Sequence, residues 1–149
     1  MKFKYDSHLS RLNVDCPPKN YKFCEFRAFR YTFEDIQHRN NFLPVLIQKP
    51  LRANSFDDFK KCKGYGLSFY DSLKNAITNY LKLKKSFKKI NKVIGTHIAE
   101  GYIHSDDGVV SKVNNDGHLT LHEYKNTDFG KNRFKIIQEI YNDEKTQRN

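Results

Sequence analysis

Between residues 68 and 93 the apolar side chains Leu73, Ala76, Tyr80, Leu83, Phe87 and Ile90 recur at alternating steps of three and four. At about 100° per residue they share one arc of a helix, and Lys74, Lys85, Lys88, Lys89 and Lys92 fall on roughly the opposite arc. Such a helix has one apolar stripe that must be covered. At 149 residues the chain fits one domain, long enough to bury a core that supplies that cover itself. Ser68 with Asp71 three residues later resembles a capping box, which satisfies the free amides of a first turn, so the helix is predicted to start there. Gly95 ends the pattern.

On either side the pattern changes from helical to strand-like. Residues 21–33 crowd Phe23, Phe26, Phe29, Tyr31 and Phe33 around Arg27 and Arg30, without Gly or Pro, and predict a strand. Residues 40–54, bounded by Pro44 and Pro50, predict an irregular connection or an edge strand. After Gly95, runs at 96–104, 109–113 and 118–124 are separated by Asp107-Gly108 and Asp116-Gly117, both common hairpin-turn pairs. They predict a three-stranded antiparallel meander. Phe134, Ile137, Ile140 and Tyr141 at helical spacing predict a short closing helix over 133–142, followed by a charged, flexible tail at 143–149. The expected architecture is therefore α+β in a single domain over 1–149: a strand-rich N-terminal part, one long amphipathic lysine-rich helix, the meander and the closing helix.

Charge gives the first functional expectation. The chain carries +10, and between Leu51 and Val93 eleven Lys or Arg face three Asp, a net +8. Placement on one helix face suits an anionic partner. Lys74, Lys82, Lys85, Lys88, Lys89 and Lys92 are the expected contacts to nucleic-acid backbone or an acidic protein surface, with Tyr65, Phe69 and Tyr70 available to stack on bases. On this reading the protein is a basic, non-enzymatic binding module or accessory subunit. A separate alternative is an interaction subunit, in which the seam from Leu73 to Ile90 packs on a partner helix within a larger bacterial assembly.

No apolar run reaches signal-peptide or membrane-spanning length, which predicts a cytoplasmic protein without membrane contact. Cys16, Cys24 and Cys62 are odd in number and irregular in spacing, which predicts neither a disulfide framework nor a structural zinc site; Cys62 is expected as a partly buried structural thiol. Phosphate-loop, Gly-x-Ser-x-Gly and His-Glu-x-x-His motifs are absent from the sequence.

Four of the six histidines, His97, His104, His118 and His122, fall in the predicted meander. On a strand His118 and His122 lie about 13 Å apart and do not share one ion. Alternation places His118, Thr120, His122 and Tyr124 on one face, which predicts a polar surface, and puts Glu100 on a face where it can meet a histidine as a general base.

Arg27 or Arg30 in a strand, Gly66-Leu67-Ser68-Phe69 before a helix, and Glu100 or Glu123 in a later strand together resemble the arginine, serine and glutamate layout of ADP-ribosyltransferases. That resemblance implies NAD as cofactor and a site between the first aromatic strand and the later strands, with Arg27, Ser68, Glu100 and His122 as its residues. The chain departs from the family pattern in lacking a Glu-x-Glu pair.

Overall fold

The computed structural model describes residues 2–140. Its frame is one antiparallel sheet of β1 (Phe26–Thr32), β2 (Leu67–Tyr70), β3 (His97–Ile103), β4 (Gly108–Val110), β5 (His118–Glu123) and β6 (Phe134–Glu139), ordered β4-β5-β2-β1-β3-β6. The α+β class holds. Short helices α1 (Asp6–Leu9), α2 (Val45–Gln48) and α3 (Asp58–Gly64), with a 3₁₀ turn at Pro50–Ser55, precede β2, and α4 (Leu73–Ser86) and α5 (Ile90–Val93) separate β2 from β3. Among the described residues no helix is long and apolar enough to cross a membrane.

The aromatic segment becomes β1, which pairs with β3 at every position from Phe26↔Ile103 to Thr32↔His97. One face of the sheet buries Ala28, Leu67, Phe69, Ala99, Leu121 and Phe134 against Phe129, with Phe42 packed beside them. The other buries Phe29, Tyr70 and Ile98 against Ala76 and Tyr80 of α4 and Ile90 of α5. Two phenols tie the helical layer down: Tyr31 Oη donates to the carbonyl of Ala76 and Tyr80 Oη to that of Gly95, both at 2.7 Å. Gly95 has φ +107°, and a Cβ there would stand 2.1 Å from the carbonyl oxygen of Thr32, so only glycine fits this turn into β3.

Several expectations change. The long helix is shorter than predicted: Ser68 lies in β2, and the cap is Ser72, whose hydroxyl accepts from the amide of Asn75 at 3.1 Å. Tight pairing of Leu67 to Tyr70 with β5 takes those residues out of helix. The helix breaks at Phe87 before α5, and Leu83 and Phe87 are exposed while Ala76 and Tyr80 fill the chain's own core. Within residues 40–54, expected as an irregular connection or an edge strand, the chain forms α2 and most of the 3₁₀ turn, with Pro44 as the N-cap of α2 and Pro50 in the first turn of the 3₁₀ segment, where a missing amide costs nothing.

The meander is also not formed. β5 pairs with β4 and β2, whereas β3 pairs with β1 and β6. In a flat sheet β3 and β4 would stand four strand spacings apart, about 19 Å, while the link from Ile103 to Gly108 reaches about 17 Å at most. The sheet therefore curls. Asp107 secures that crossing: its carboxylate accepts from Arg133 at 2.6 and 2.7 Å and from the amide of His104 at 2.7 Å. The closing helix is instead β6 over its described part; its remainder and the tail at 143–149 lie outside the described residues. Phe134 and Ile136 alternate with exposed Lys135 and Ile137, and the free edge of β3 supplies hydrogen bonds that a helix there would leave unmade.

Candidate functional site

β1 and β2 are neighbours in the sheet but pair at one register position, Phe29↔Tyr70. β2 and β5, by contrast, pair from Leu67↔Leu121 to Tyr70↔His118. The sheet splays between β1 and β2, and a cleft of about 230 Å³ opens there. Its basic lining residues are Arg30, Lys49, Arg52 and Lys63, and among the described residues no Asp or Glu lines it. Tyr31 and Tyr70 give it aromatic walls, Ser68 and Asn41 give it polar groups, and His118 closes the β5 side.

Arg30 is the keystone of the splay. Its Nε donates to the carbonyl of Asn41 at 2.7 Å and one terminal nitrogen donates to the carbonyl of Ser68 at 2.8 Å, bridging β1, β2 and the loop after β1. The guanidinium lies 5.7 Å from the Phe69 ring centroid and 5.9 Å from that of Phe42. Burial pulls its pKa down to about 10, with Glu123 opposing, so it stays charged at neutral pH. Tyr31 and Tyr70, with ring centroids 5.3 Å apart, are both raised by burial and stay neutral phenols.

His118 stands beside Tyr70 and titrates below the ordinary histidine value, chiefly through burial, then through Lys63, with Asp116 opposing and Arg30 adding to the depression. At neutral pH its imidazole is uncharged and able to take a proton. Asp116, which lies outside the cleft, pairs with Lys82 at 3.9 Å.

The sequence-predicted set is only partly brought together. Ser68 is exposed in the cleft. Arg27 is exposed opposite Tyr102, and Glu100 sits opposite Phe29 and Lys135; neither reaches the cleft. His122 is buried to 2% exposure, with Nε2 3.8 Å from Cys62 Sγ and its ring 5.9 Å from that of Tyr21. Burial pushes its pKa down to about 4. Of the alternatives in the same layout, Arg30 is in the cleft, while Glu123 is buried at the far end of β5, held by Lys4 at 2.7 Å. The expected polar face of β5 is not wet, since Thr120 and His122 are both buried.

Of the three aromatics expected to stack on bases, Phe69 and Tyr70 are core residues, and Tyr65 is half-buried. Cys62 is not a free thiol: it is disulfide-bonded to Cys16, against the sequence expectation. The odd count came from Cys24, which is free and exposed, and a pairing 46 residues apart leaves no local spacing signal. Sequence reasoning missed Lys63, Asn41 and the placement of His118 in the cleft. The available signal was the run of Lys60, Lys61 and Lys63 directly before Gly64-Tyr65-Gly66. Comparison with protein-family models, curated proteins and solved structures finds no match.

Proposed function

We propose that the β1–β2 cleft binds a nicotinamide adenine dinucleotide and that the protein acts in the manner of an ADP-ribosyltransferase. The observation that carries this reading is a cationic, aromatic-walled cleft without a carboxylate, at the place where an arginine of β1 is joined to the serine strand β2 and β5 lies alongside. Four basic side chains in a lining without Asp or Glu favour a phosphate-bearing ligand, and the half-buried Tyr31 offers it a ring surface. At about 230 Å³ the cleft takes the phosphates and one ring, with the rest of the ligand along its open mouth.

The chemistry such a ligand supplies is transfer of its ADP-ribosyl group: the ribose–nicotinamide bond breaks, nicotinamide departs with the bonding pair, and the acceptor forms the new bond to the ribose carbon and gives up a proton. Arg30 and Lys63 bind charge, and Ser68 is placed at the mouth to orient the ligand. Neither Glu100 nor Glu123 lines the cleft, so the neutral imidazole of His118, which does, is the group that takes the proton of the incoming acceptor. The test is a thermal-melt titration with NAD, ADP-ribose and nicotinamide, with Lys63→Glu and Ser68→Tyr alongside. A true site raises Tm by several degrees at ligand well above Kd, and both variants remove the rise. No rise at millimolar NAD or ADP-ribose rejects the reading.

A second reading rests on the exposure of Lys74, Lys82, Lys85, Lys88, Lys89 and Lys92. We infer from it a sequence-independent contact with nucleic-acid backbone or an acidic protein, steeply weakened by salt. Reversing Lys85, Lys88 and Lys89 to Glu abolishes such binding if the reading is right. Unchanged binding removes it. As to location, the notion of a cytoplasmic protein and the Cys16–Cys62 bond pull in opposite directions, because disulfides persist in oxidising compartments and are reduced in the cytosol.

A further inference from the structure

Away from the cleft, Cys16, Cys62 and His122 form a cluster whose ligand-capable atoms all lie within 4.8 Å of one another, the one such group among the described residues. Its members come from three distant parts of the chain: the N-terminal loop, α3 and β5. Glycine at position 66 lets β2 approach, since a Cβ there would stand 3.4 Å from His122 Cε1 and closer still to Thr120. Cys62 and His122 are buried, Cys16 is half-buried, and a second cleft of about 360 Å³ lined by Asp15, Tyr21, Cys62 and Lys63 opens beside them to solvent.

We propose that on reduction of the Cys16–Cys62 bond these two thiolates and His122 Nε2 form a zinc site, with water from the adjoining cleft as fourth ligand. A Cys₂His set with one open position is a known zinc coordination, and bond lengths of about 2.3 Å to sulfur and 2.1 Å to nitrogen place tetrahedral S and N ligands about 3.6 Å apart. Cys62 Sγ and His122 Nε2 already stand 3.8 Å apart. Only Cys16 has to settle at a new position, and it lies in an N-terminal loop between α1 and β1. Cellular thiols supply the two electrons and two protons that open the S–S bond and become a disulfide themselves. Zn²⁺ then displaces one proton from each thiol, while the imidazole gives its lone pair. In a reducing compartment, paired cysteines beside a histidine are a metal site more often than a staple.

The inference is independent of what occupies the β1–β2 cleft. It is tested on the full chain carrying Cys24→Ser, so that no other thiol contributes. The protein is reduced with a phosphine, which becomes its oxide, freed of reductant and titrated with Co²⁺ as the spectroscopic probe. The expected result is one Co²⁺ per chain with a thiolate-to-cobalt charge-transfer band, bleached by stoichiometric Zn²⁺ and absent from the oxidised protein. Cys16→Ser and His122→Gln each weaken binding at least about tenfold. Since His122→Gln alters a buried position, circular dichroism checks its fold, and the half-buried Cys16→Ser carries the test if it unfolds. Absence of the band in reduced protein, or an affinity unchanged by Cys16→Ser, overturns the proposal.

Discussion

Arg30 holds two backbone carbonyls that belong to different elements, those of Asn41 and Ser68, and rests on Phe42 and Phe69. Replacing it with Gln removes a charge-assisted pair of hydrogen bonds and strands acceptors where β1 and β2 diverge. The expected cost is about 2–4 kcal/mol, read from urea unfolding midpoints at constant m. A loss below about 1 kcal/mol means the splay does not depend on this side chain. His118 adds a pH dependence. Its folded pKa is depressed, so the unfolded chain takes up the proton first as pH falls. The stability it contributes is complete above about 6.5 and is lost below that. Lys63 and Arg30 disfavour its charge and Asp116 favours it, and a pyrophosphate in the cleft shifts the balance toward the imidazolium. NAD affinity is therefore expected to rise from pH 7.5 to 5.5 in the wild type and to stay flat in His118→Gln, measured by calorimetry with a ligand whose own phosphates do not titrate in that range.

At the scale of elements, only the part of the amphipathic helix that forms α4 was legible, because its signal is local. Ala76 and Tyr80 at steps of three and four needed only an apolar surface to meet, and the sheet supplied it. The start of that helix was misread because Ser68 and Ser72 each begin a plausible cap, and the choice depends on whether residues 67–70 pair with β5, a contact some fifty residues away. The same reason hid β6, whose helical spacing loses to the unmade hydrogen bonds along the edge of β3. Asp107-Gly108, expected as a hairpin turn, instead closes the turn after β3 and opens β4, because a turn pair does not tell which strand follows as partner, and the carboxylate of Asp107 serves a crossing instead of a hairpin. In the candidate site, Ser68 and the arginine pair of β1 were visible as residue types; choosing Arg30 over Arg27 required the sheet, since residues three positions apart on a strand turn to opposite faces and only the assembled sheet shows which face meets the cleft. The cap assignment yields a direct check. Ser72→Ala is expected to destabilise the protein by about 1 kcal/mol, whereas Ser68→Ala stays within about 0.5 kcal/mol, since it removes an exposed hydroxyl from a strand. Equal losses in the two variants would return the helix start to Ser68.

Across the whole molecule, the Cys16–Cys62 bond fastens the N-terminal segment to α3, and through it to β5, across a sequence separation of 46 residues. A cross-link of that span removes loop-closure entropy from the unfolded chain worth about 4 kcal/mol in the chain-entropy treatment. Besides this bond the N-terminal segment reaches the sheet through Phe3 bridging Tyr124, Lys4 paired with Glu123, Lys22 bridging Val110 and the Tyr21 ring beside His122. Opening the bond in metal-free buffer is therefore expected to lower Tm by about 10 °C, at about 2–4 °C per kcal/mol for a chain of this size. Cys16→Ser, which cannot re-form the bond, should melt with the reduced wild type. If the reduced protein instead melts with the oxidised one in the presence of chelator, the loop is held by its packing and the bond contributes little. Adding Zn²⁺ to the reduced wild type separates the two roles of the same atoms, because a metal that binds only the folded chain restores the lost stability in proportion to its affinity. That recovery is expected in the wild type and not in Cys16→Ser, which places the redox state of one bond between two folded forms of the protein, one stapled by sulfur and one by metal.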